Sequence, residues 1–345
     1  MKNLICLVLL CACISCSEQK EDNTLIRYDL SQSVKLNEPE IIFGFDDRYP
    51  VDIKVKDSIA IIIEAKNNTS FIALDINKRE IVKYFGNKGK GPEDAQSPDF
   101  ILSTDFEDFV IFEDVNLGRI MKIHVKGGDR FKIEKFIDYP QEIFPGSNLS
   151  LSSNFIVSRT IDWDETNMFH IYNRTDSSVI DVGFYPDIKE LSDRNNGLAA
   201  RHALNESKNR IIAGMFYIDM FSLFDLSGKR LKSVYFSDNY VPPLAWNENN
   251  VYFDWEKGRK GVNVYPTNDY CYLLRSESVD DEGKEINHLI LVDWDGNPVK
   301  SYLVPEDDMS GFCIDEKSKK MYVIRHSVTD DNEMFYVVAY SLEGL

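Results

Sequence analysis

Apolar and polar positions alternate along nearly the whole chain, in short runs that end at polar turns. Such runs predict strands with one buried face. Six of them share an aromatic or aliphatic start and an end at Asp, Asn, His or Ser. They are residues 71–75 (FIALD), 120–124 (IMKIH), 169–173 (FHIYN), 221–225 (FSLFD), 289–293 (LILVD) and 337–341 (VVAYS). Because a strand-only repeat of about 50 residues is typical of propellers, the pattern predicts an all-β, six-bladed β-propeller.

Each of these runs is the third strand of a predicted four-stranded blade. A second strand precedes it, at residues 60–64, 109–113, 155–159, 210–214, 271–275 and 321–325. A fourth strand follows it, in several blades after a glycine turn such as Gly228 or Gly296, where glycine supplies a positive φ.

The sixth blade has no fourth strand before the last residue, Leu345. We expect the N-terminal strand to close the ring by pairing with the last blade. Residues 25–36 (LIRYDLSQSVKL) alternate as an outer strand should, and they are the predicted closing strand. Closure of this kind leaves no sheet edge open between the first and last blades.

The repeat predicts one propeller domain over residues 25–345, preceded by a signal peptide at 1–15 and a flexible tether at 16–24. An apolar run after Lys2 is too short to span a bilayer and indicates a secretory signal. The residues before Cys16 resemble a lipoprotein signal, and the polar stretch after it favours Cys16 as the lipidated residue. Cys13 is the competing site, and an ordinary signal peptide with incidental cysteines is the simpler alternative.

The formal net charge of −18 limits the choice of partners. So acidic a surface repels nucleic-acid phosphates and anionic headgroups. We therefore expect no nucleic acid partner, contact with a membrane only through the lipid anchor, and a monomer.

Residues 86–94 (GNKGKGPED) follow the fourth strand of the first blade. Together with the repeat and the signal, this segment resembles the TolB-like six-bladed propeller lipoproteins of Bacteroides-type bacteria, over nearly the whole mature chain. The resemblance implies the fold and a cell-envelope location, and it brings no established activity. The acidic residues after Cys16 resemble the export signal of surface lipoproteins, which implies an outer membrane protein exposed at the surface.

Long loops are predicted on one face only, at 86–98, 140–148, 185–203, 237–266, 276–287 and 326–333. They join second to third strands, or one blade to the next, and propeller geometry places both kinds on the same face. Long loops on a rigid scaffold commonly carry binding groups. Neutral drift of surface loops is the alternative.

The last residues of the second strands should surround the central channel on that face. They include Glu64, Glu113, Arg159, Arg275 and Arg325. Three converging arginines would bind a carboxylate or sulfate, because guanidinium binds such anions in a bidentate manner. A structural network in which each arginine pairs with a neighbouring acid is the alternative. His326, directly after Arg325, is a further candidate.

Tryptophans mark a second set of candidates. Trp246 and Trp255 lie in the longest insertion, and Trp163 follows Arg159 closely. Exposed aromatic rings suit sugar rings or peptide side chains. The insertion could equally use Trp246 and Trp255 as a small core of its own.

No catalytic or metal pattern stands out. The five histidines include no close metal pair, and His124 and His170 fall in third strands, where a role between strands is expected. Cys271 and Cys313 lie in apolar strands, where buried free thiols are usual. We therefore expect no metal, no cofactor and a non-catalytic module that binds a glycan, peptide or envelope protein. The alternative is a hydrolase acting on an acidic sugar or lactone at the channel mouth, since three arginines on six blades resemble the sialidases.

Overall fold

The computed structural model describes residues 25–106, 108–140, 142–143, 148–159, 167–247, 250–254, 260–278, 285–305, 309–329 and 332–342. Strands make up nearly all the regular structure of these residues, and they form six main sheets arranged as the blades of a propeller. The predicted all-β, six-bladed fold is confirmed. No helix in these ranges is long and apolar enough to cross a membrane.

The strands follow the chain in blade order. Before the first blade come β1 (Leu25–Arg27), β2 (Val34–Lys35) and β3 (Glu40–Phe45). Blade 1 contains β4 (Pro50–Lys56), β5 (Ile59–Glu64), β6 (Thr69–Asp75) and β7 (Glu80–Asn87). Blade 2 contains β8 (Pro98–Phe100), β9 (Phe109–Asp114), β10 (Arg119–His124) and β11 (Ile133–Ile137), and blade 3 contains β12 (Ser150–Leu151), β13 (Phe155–Arg159), β14 (Asn167–Asn173) and β15 (Val179–Gly183). In both of these blades the innermost strand is short.

The second half of the chain adds three more blades. Blade 4 contains β16 (Ala200–Asn205), β17 (Arg210–Met215), β18 (Met220–Phe224) and β19 (Arg230–Tyr235). A separate hairpin of β20 (Leu244–Asn247) and β21 (Asn250–Phe253) comes before blade 5, which contains β22 (Lys260–Pro266), β23 (Tyr270–Ser278), β24 (Glu285–Asp293) and β25 (Pro298–Val304). Blade 6 contains β26 (Met309–Asp315), β27 (Lys320–Thr329) and β28 (Asn332–Ser341). The helices among the described residues are single turns, a 3-10 helix at Val115–Leu117 and α1 at Arg194–Gly197.

The ring is closed by an N-terminal strand, as predicted, but by a later one than expected. β3 supplies the fourth strand of blade 6 and pairs antiparallel with β28, with Phe45 opposite Phe335. The assignment of residues 25–36 to this role is wrong. Within that segment β1 adds a parallel fifth strand to blade 4, and β2 does the same for blade 5.

Local chemistry explains why residues 25–36 do not form one strand. The Asp29 carboxylate accepts hydrogen bonds from the backbone and the hydroxyl of Ser31, which makes a turn in the middle of the segment. Burial explains why β3 closes the ring instead. Ile42 and Phe45 pack into the core between blades 6 and 1, whereas Leu25 and Ile26 stay exposed.

Clusters of buried apolar side chains fill the gaps between neighbouring blades. Between blades 1 and 2, Phe71 packs against Phe112 with ring centroids 4.9 Å apart. The other clusters fill the gaps between blades 2 and 3, 3 and 4, 4 and 5, 5 and 6, and 6 and 1. Each blade is therefore held on both faces by its neighbours.

The two ends of the ring differ. At one end of the ring, short turns join the first strand of each blade to the second and the third strand to the fourth. We call this end the plain face. Asp57 and Asn209 take positive φ there (54° and 55°), a conformation that short polar side chains tolerate. The opposite end, the elaborated face, carries the connections between blades and between second and third strands. In two of its predicted loops, 276–287 and 326–333, the described residues instead extend the β23–β24 and β27–β28 hairpins.

Candidate functional site

Charged residues of three innermost strands meet in the central channel. Arg201 of blade 4 has its Nη2 3.8 Å from an oxygen of Asp52 in blade 1 and 4.0 Å from one of Asp99 in blade 2. Blades 1 and 4 lie opposite each other in a ring of six, so their side chains meet only across the axis. Nη2 also donates to the carbonyl of Phe100 at 3.4 Å. The guanidinium is therefore held loosely, at the long end of ion-pair distances.

Glu113 lies beside this group, on β9 directly opposite Asp99 of β8. Its side chain is 1% exposed, and neither carboxyl oxygen accepts a hydrogen bond of ordinary geometry within the described part of the chain. Burial, and then the charge of Asp99, raise the pKa of Glu113 to about 9, although the Leu149 N–H and Arg201 act against this rise. Glu113 is therefore a neutral acid at physiological pH.

Glu64, predicted for the same ring, organises a loop. Its carboxylate accepts hydrogen bonds from the backbone N–H groups of Lys66 and Asn67 and lies 3.5 Å from Arg48. The side chain is buried beneath these donors. The carboxylate thereby fixes the turn between β5 and β6 on the elaborated face.

Arg275 is buried in an ion pair between blades 4 and 5. Its Nε and Nη2 donate to the two oxygens of Asp219 at 2.6 and 2.8 Å, and Nη2 also donates to Glu277 at 2.6 Å. Burial acts to lower the pKa of Arg275, but the hydrogen bonds and charge of Asp219 outweigh it, and the net shift is upward. This is the pairing with a neighbouring acid that the sequence left open as an alternative.

Arg159 belongs to a polar chain at the base of α1. Its Nη2 donates to the amide oxygen of Asn196 at 2.8 Å, and the Asn196 amide donates to Asp193 at 2.7 Å. Asp193 also caps α1 by accepting from the backbone N–H of Asn196. Burial lowers the pKa of Arg159, and Tyr217 and Asp193 oppose that effect.

A cleft of about 460 Å³ opens next to this polar chain, between α1 and the β20–β21 hairpin. The hairpin is attached to the segment before α1 by hydrogen bonds between Ser192 and Val251 in both directions. The cleft has an apolar floor, two tyrosines and the polar groups of the α1 cap; its lining residues are Leu191, Asp193, Asn196, Gly197, Tyr217, Val251, Tyr252 and Phe253. Apolar clefts with a few fixed polar groups are typical of ligand sites.

Arg325 and His326 lie along the β27–β28 hairpin. The Arg325 guanidinium stacks over the ring of Tyr336 at 5.3 Å, and His326 stacks on Phe335 with centroids 4.5 Å apart. Arg159, Arg275 and Arg325 thus each have local partners on different blades, and no contact among the described residues joins the three. Their role as binding residues stays a prediction.

A family model, TolB-like 6-blade propeller-like, matches residues 26–317. The chain belongs to this TolB-like family. Among solved structures, this TolB-like propeller is similar to a member of the DUF4221 family from Bacteroides vulgatus, with 14% identity, a TM-score of 0.53 and coverage of 89% of this chain and 99% of that one. A structure of a Bacteroides fragilis protein has 10% identity and a TM-score of 0.46, over 91% and 99% of the two chains. No curated protein matches the chain at a significant level of similarity.

Of the predicted tryptophans in this TolB-like propeller, Trp246 lies on β20 and is 72% exposed. It is therefore not part of a core of the insertion, which was the alternative. Trp163, Trp255 and the predicted lipidation site Cys16, with its competitor Cys13, lie outside the described residues.

Three of the other histidines form hydrogen bonds between strands or are buried. A hydrogen bond of 2.9 Å joins His124 to Glu134, and one of 2.7 Å joins His170 to Asp181. Each bond links a third strand to a fourth strand, which confirms the expected role between strands. Burial lowers the pKa of His202 to about 3. No group of three or more metal-binding side chains occurs among the residues that the structure describes.

Cys271 and Cys313 are buried free thiols, as expected. Burial raises the pKa of both, in the case of Cys313 to about 12. Both thiols are therefore in the unreactive protonated form at neutral pH.

Sequence reasoning missed Asp52 and Asp99, the acids that lie nearest to Arg201. The available signal was a charged residue inside an innermost strand, as in PVDIKVK and ARHALN. It also missed Tyr217 and Tyr252, because the cleft forms only when the hairpin folds over α1.

Proposed function

We propose that the protein is a non-catalytic binding module of the cell envelope that takes a glycan in the cleft between α1 and the β20–β21 hairpin. The observation that carries the proposal is the cleft itself, whose lining combines aromatic rings with fixed polar groups. The faces of Tyr217 and Tyr252 can stack on a sugar ring, and the Asp193 and Asn196 side chains can hydrogen-bond its hydroxyl groups. The fold is compatible with a binding or interaction module.

The polar groups are held in place before any ligand arrives. Asn196 is fixed between Arg159 and Asp193, and Asp193 is fixed by capping α1. Ordering these side chains therefore costs little on binding, which favours affinity. Trp246, cross-strand from the cleft residue Val251, is a further exposed aromatic ring on the same hairpin.

A glycan array probed with the purified protein, followed by calorimetry on the sugars that bind, tests this function. Tyr252→Ala should weaken binding at least about tenfold, since a buried aromatic contact often dominates an interface. Tyr84→Ala is the matched control, because Tyr84 has the same exposure as Tyr252 (41% and 40%) but lies on β7 of blade 1. Equal binding by both variants contradicts the proposal, and binding only to a peptide library would replace the glycan by a peptide.

The lipid anchor on Cys16 is a separate part of the proposal, supported by the signal segment. Metabolic labelling with a palmitate analogue should mark the full-length protein and should disappear in Cys16→Ala. Label that persists in Cys16→Ala and disappears in Cys13→Ala moves the anchor to Cys13. Protection of the protein from added protease in intact cells would contradict surface exposure.

One observation favours the alternative of a hydrolase on an acidic sugar or lactone. Glu113, whose pKa burial raises to about 9, lies next to the Asp99 carboxylate and Arg201, and a buried carboxylic acid with a raised pKa is a common general acid. Hydrolysis of a lactone or an acidic glycoside that disappears in Glu113→Gln would support it. Because the Glu113 side chain is only 1% exposed, the cleft is the better supported ligand site.

A further inference from the structure

Lys54 is a charged side chain buried in the wall of the channel. It lies on β4, the innermost strand of blade 1, and is 7% exposed. Its Nζ lies 4.2 Å from the ring centroid of Tyr265, which comes from blade 5. The described residues give Lys54 no hydrogen bond and no ion pair within 4.0 Å.

The nearest acid does not neutralise Lys54 directly. Asp52, two residues earlier on the same strand, attracts Lys54, but its closest cation is Arg201 at 3.8 Å. Burial lowers the pKa of Lys54 to about 8, with Asp52 opposing and Arg201 adding to the shift. A buried ammonium without a hydrogen-bonding partner is costly, and an anion at this point would offset that cost.

Two neighbouring cavities lie between Lys54 and the turns of the plain face. A small cavity of about 30 Å³ next to Lys54 shares Lys56, Ser103, Tyr265 and Pro266 with a pocket of about 170 Å³. That pocket is bordered by the turns that join first to second strands, including Asp57 and Asn268. Since pockets for drug-sized ligands measure about 300–1,000 Å³, this space suits only a small ligand.

The other charges around the pocket already have partners. Lys126 lies 3.4 Å from Asp57 and 3.3 Å from Asp108, and Lys56 donates to the carbonyl of Phe106 at 2.9 Å. Glu316 accepts from the hydroxyls of Thr267 and Tyr272, and burial raises its pKa. These groups leave Lys54 as the cation whose charge is not balanced by a direct contact within the described residues.

We propose that the plain-face half of the channel is an anion site, in which the Lys54 ammonium, itself held over the Tyr265 ring, binds a small carboxylate or phosphate. The site lies at the opposite end of the channel from the elaborated face and does not depend on the cleft. Its ligand enters from the plain face, past Lys56 and Thr104.

Calorimetric titration with inorganic phosphate and with acetate, at pH 7 and low ionic strength, tests this site. Wild-type protein should bind at least one of the two, and the one that binds identifies the anion class. Lys54→Met should weaken that binding at least about tenfold, whereas Lys83→Met, a change on the exposed outer strand β7, should leave it unchanged. Wild-type protein that binds neither anion, or Lys54→Met that binds as well as wild type, overturns the proposal.

A second measurement needs no variant. Reductive methylation followed by mass spectrometry should modify Lys54 more slowly when phosphate or acetate is bound, while Lys83 is modified at the same rate. Equal rates at Lys54 with and without the anion count against the site. Tyr252→Ala should keep the anion binding, so that failure of the glycan proposal and failure of this one are distinguishable.

Discussion

The buried carboxyl group of Glu113 makes the stability of the fold depend on pH. Its pKa rises from an ordinary 4.5 to about 9 in the folded protein, so the folded state keeps a proton that the unfolded chain loses. The contribution of this group is therefore complete below about pH 4.5 and is lost as the pH rises toward 9. Glu113 is in this respect a source of alkaline instability.

Glu113→Gln should remove this pH dependence, because the amide keeps the shape of the neutral acid and cannot ionise. Relative to the variant, wild-type protein should lose up to about 1.4 kcal/mol of unfolding free energy per pH unit between pH 4.5 and 9. Urea unfolding of both proteins at pH 5, 7 and 8.5 measures the difference. A constant difference across these pH values would show that Glu113 is ionised in the folded state.

The Arg275–Asp219 pair should be important for stability because both side chains are buried. Asp219→Asn should destabilise the protein by about 3–5 kcal/mol, since it removes the bidentate anion of a buried guanidinium and leaves only Glu277, which is less buried. Asp295→Asn is the matched control: Asp295 also pairs with an arginine, Arg210 at 2.8 Å, but is exposed, so its loss should cost less than about 1 kcal/mol.

Thermal or urea unfolding compares the two Asp→Asn variants. Similar costs at both positions would mean that the Arg275 guanidinium is solvated or re-paired after the change, for example by Glu277, its other acidic partner.

At the scale of single elements, the closing strand β3 has two faces of very different importance. Ile42 is 5% exposed and packs between blades 6 and 1, whereas its neighbour Ile41 is 49% exposed. Ile42→Ala should cost about 2–5 kcal/mol of unfolding free energy, and Ile41→Ala should stay within about 0.5 kcal/mol of wild type. Urea unfolding of the two variants checks this, and equal costs would contradict the assignment of β3 as the closing strand.

The strands were predictable where the alternation of side chains decides the structure. β5 and β6, for example, appear where residues 60–64 and 71–75 were predicted, because their apolar side chains fill the gaps between blades. The prediction failed for residues 25–36, where a turn at Asp29 interrupts a regular alternation. It failed again where hairpins extend beyond the blades, because polar residues such as Ser276 and Asn287 pair there in register.

The candidate site was less predictable than the fold. The side chains at the ends of the second strands were expected to converge in the channel. Instead, Glu64 accepts hydrogen bonds from the backbone of its own loop, and Arg275 donates to Asp219. Strand register fixes where a Cα lies, whereas a long side chain follows the nearest partner of opposite charge. Those partners come from other blades, and sequence alone does not reveal them.

At the scale of the whole molecule, closure makes the six blades mutually dependent. The cluster between blades 6 and 1 contains residues of β3 together with Ile53, Ile324 and Val337. Removal of β3 would therefore expose the last blade and its neighbour together.

Two truncated chains distinguish the contribution of the closing strand β3 from that of the outer strands β1 and β2. A chain that starts at residue 40 keeps β3 and loses β1 and β2, so it should remain folded with a modestly lower Tm. A chain that starts at residue 46 also loses β3 and should be cleaved rapidly in limited proteolysis. If both truncated chains resist protease as wild type does, the ring does not need its N-terminal strand.

The direction of β1 sets how an attached molecule would be oriented. β1 runs parallel to β19, with Leu25 opposite Ser233 and Arg27 opposite Tyr235, and β19 starts from the glycine turn on the plain face. The N-terminal end of β1 therefore lies toward the plain face. Residues 17–24 lie between Cys16 and Leu25, and such a tether spans about 30 Å at full extension. If Cys16 carries the proposed lipid, the attachment point of that tether is therefore on the plain-face side of blade 4, away from the cleft on the elaborated face.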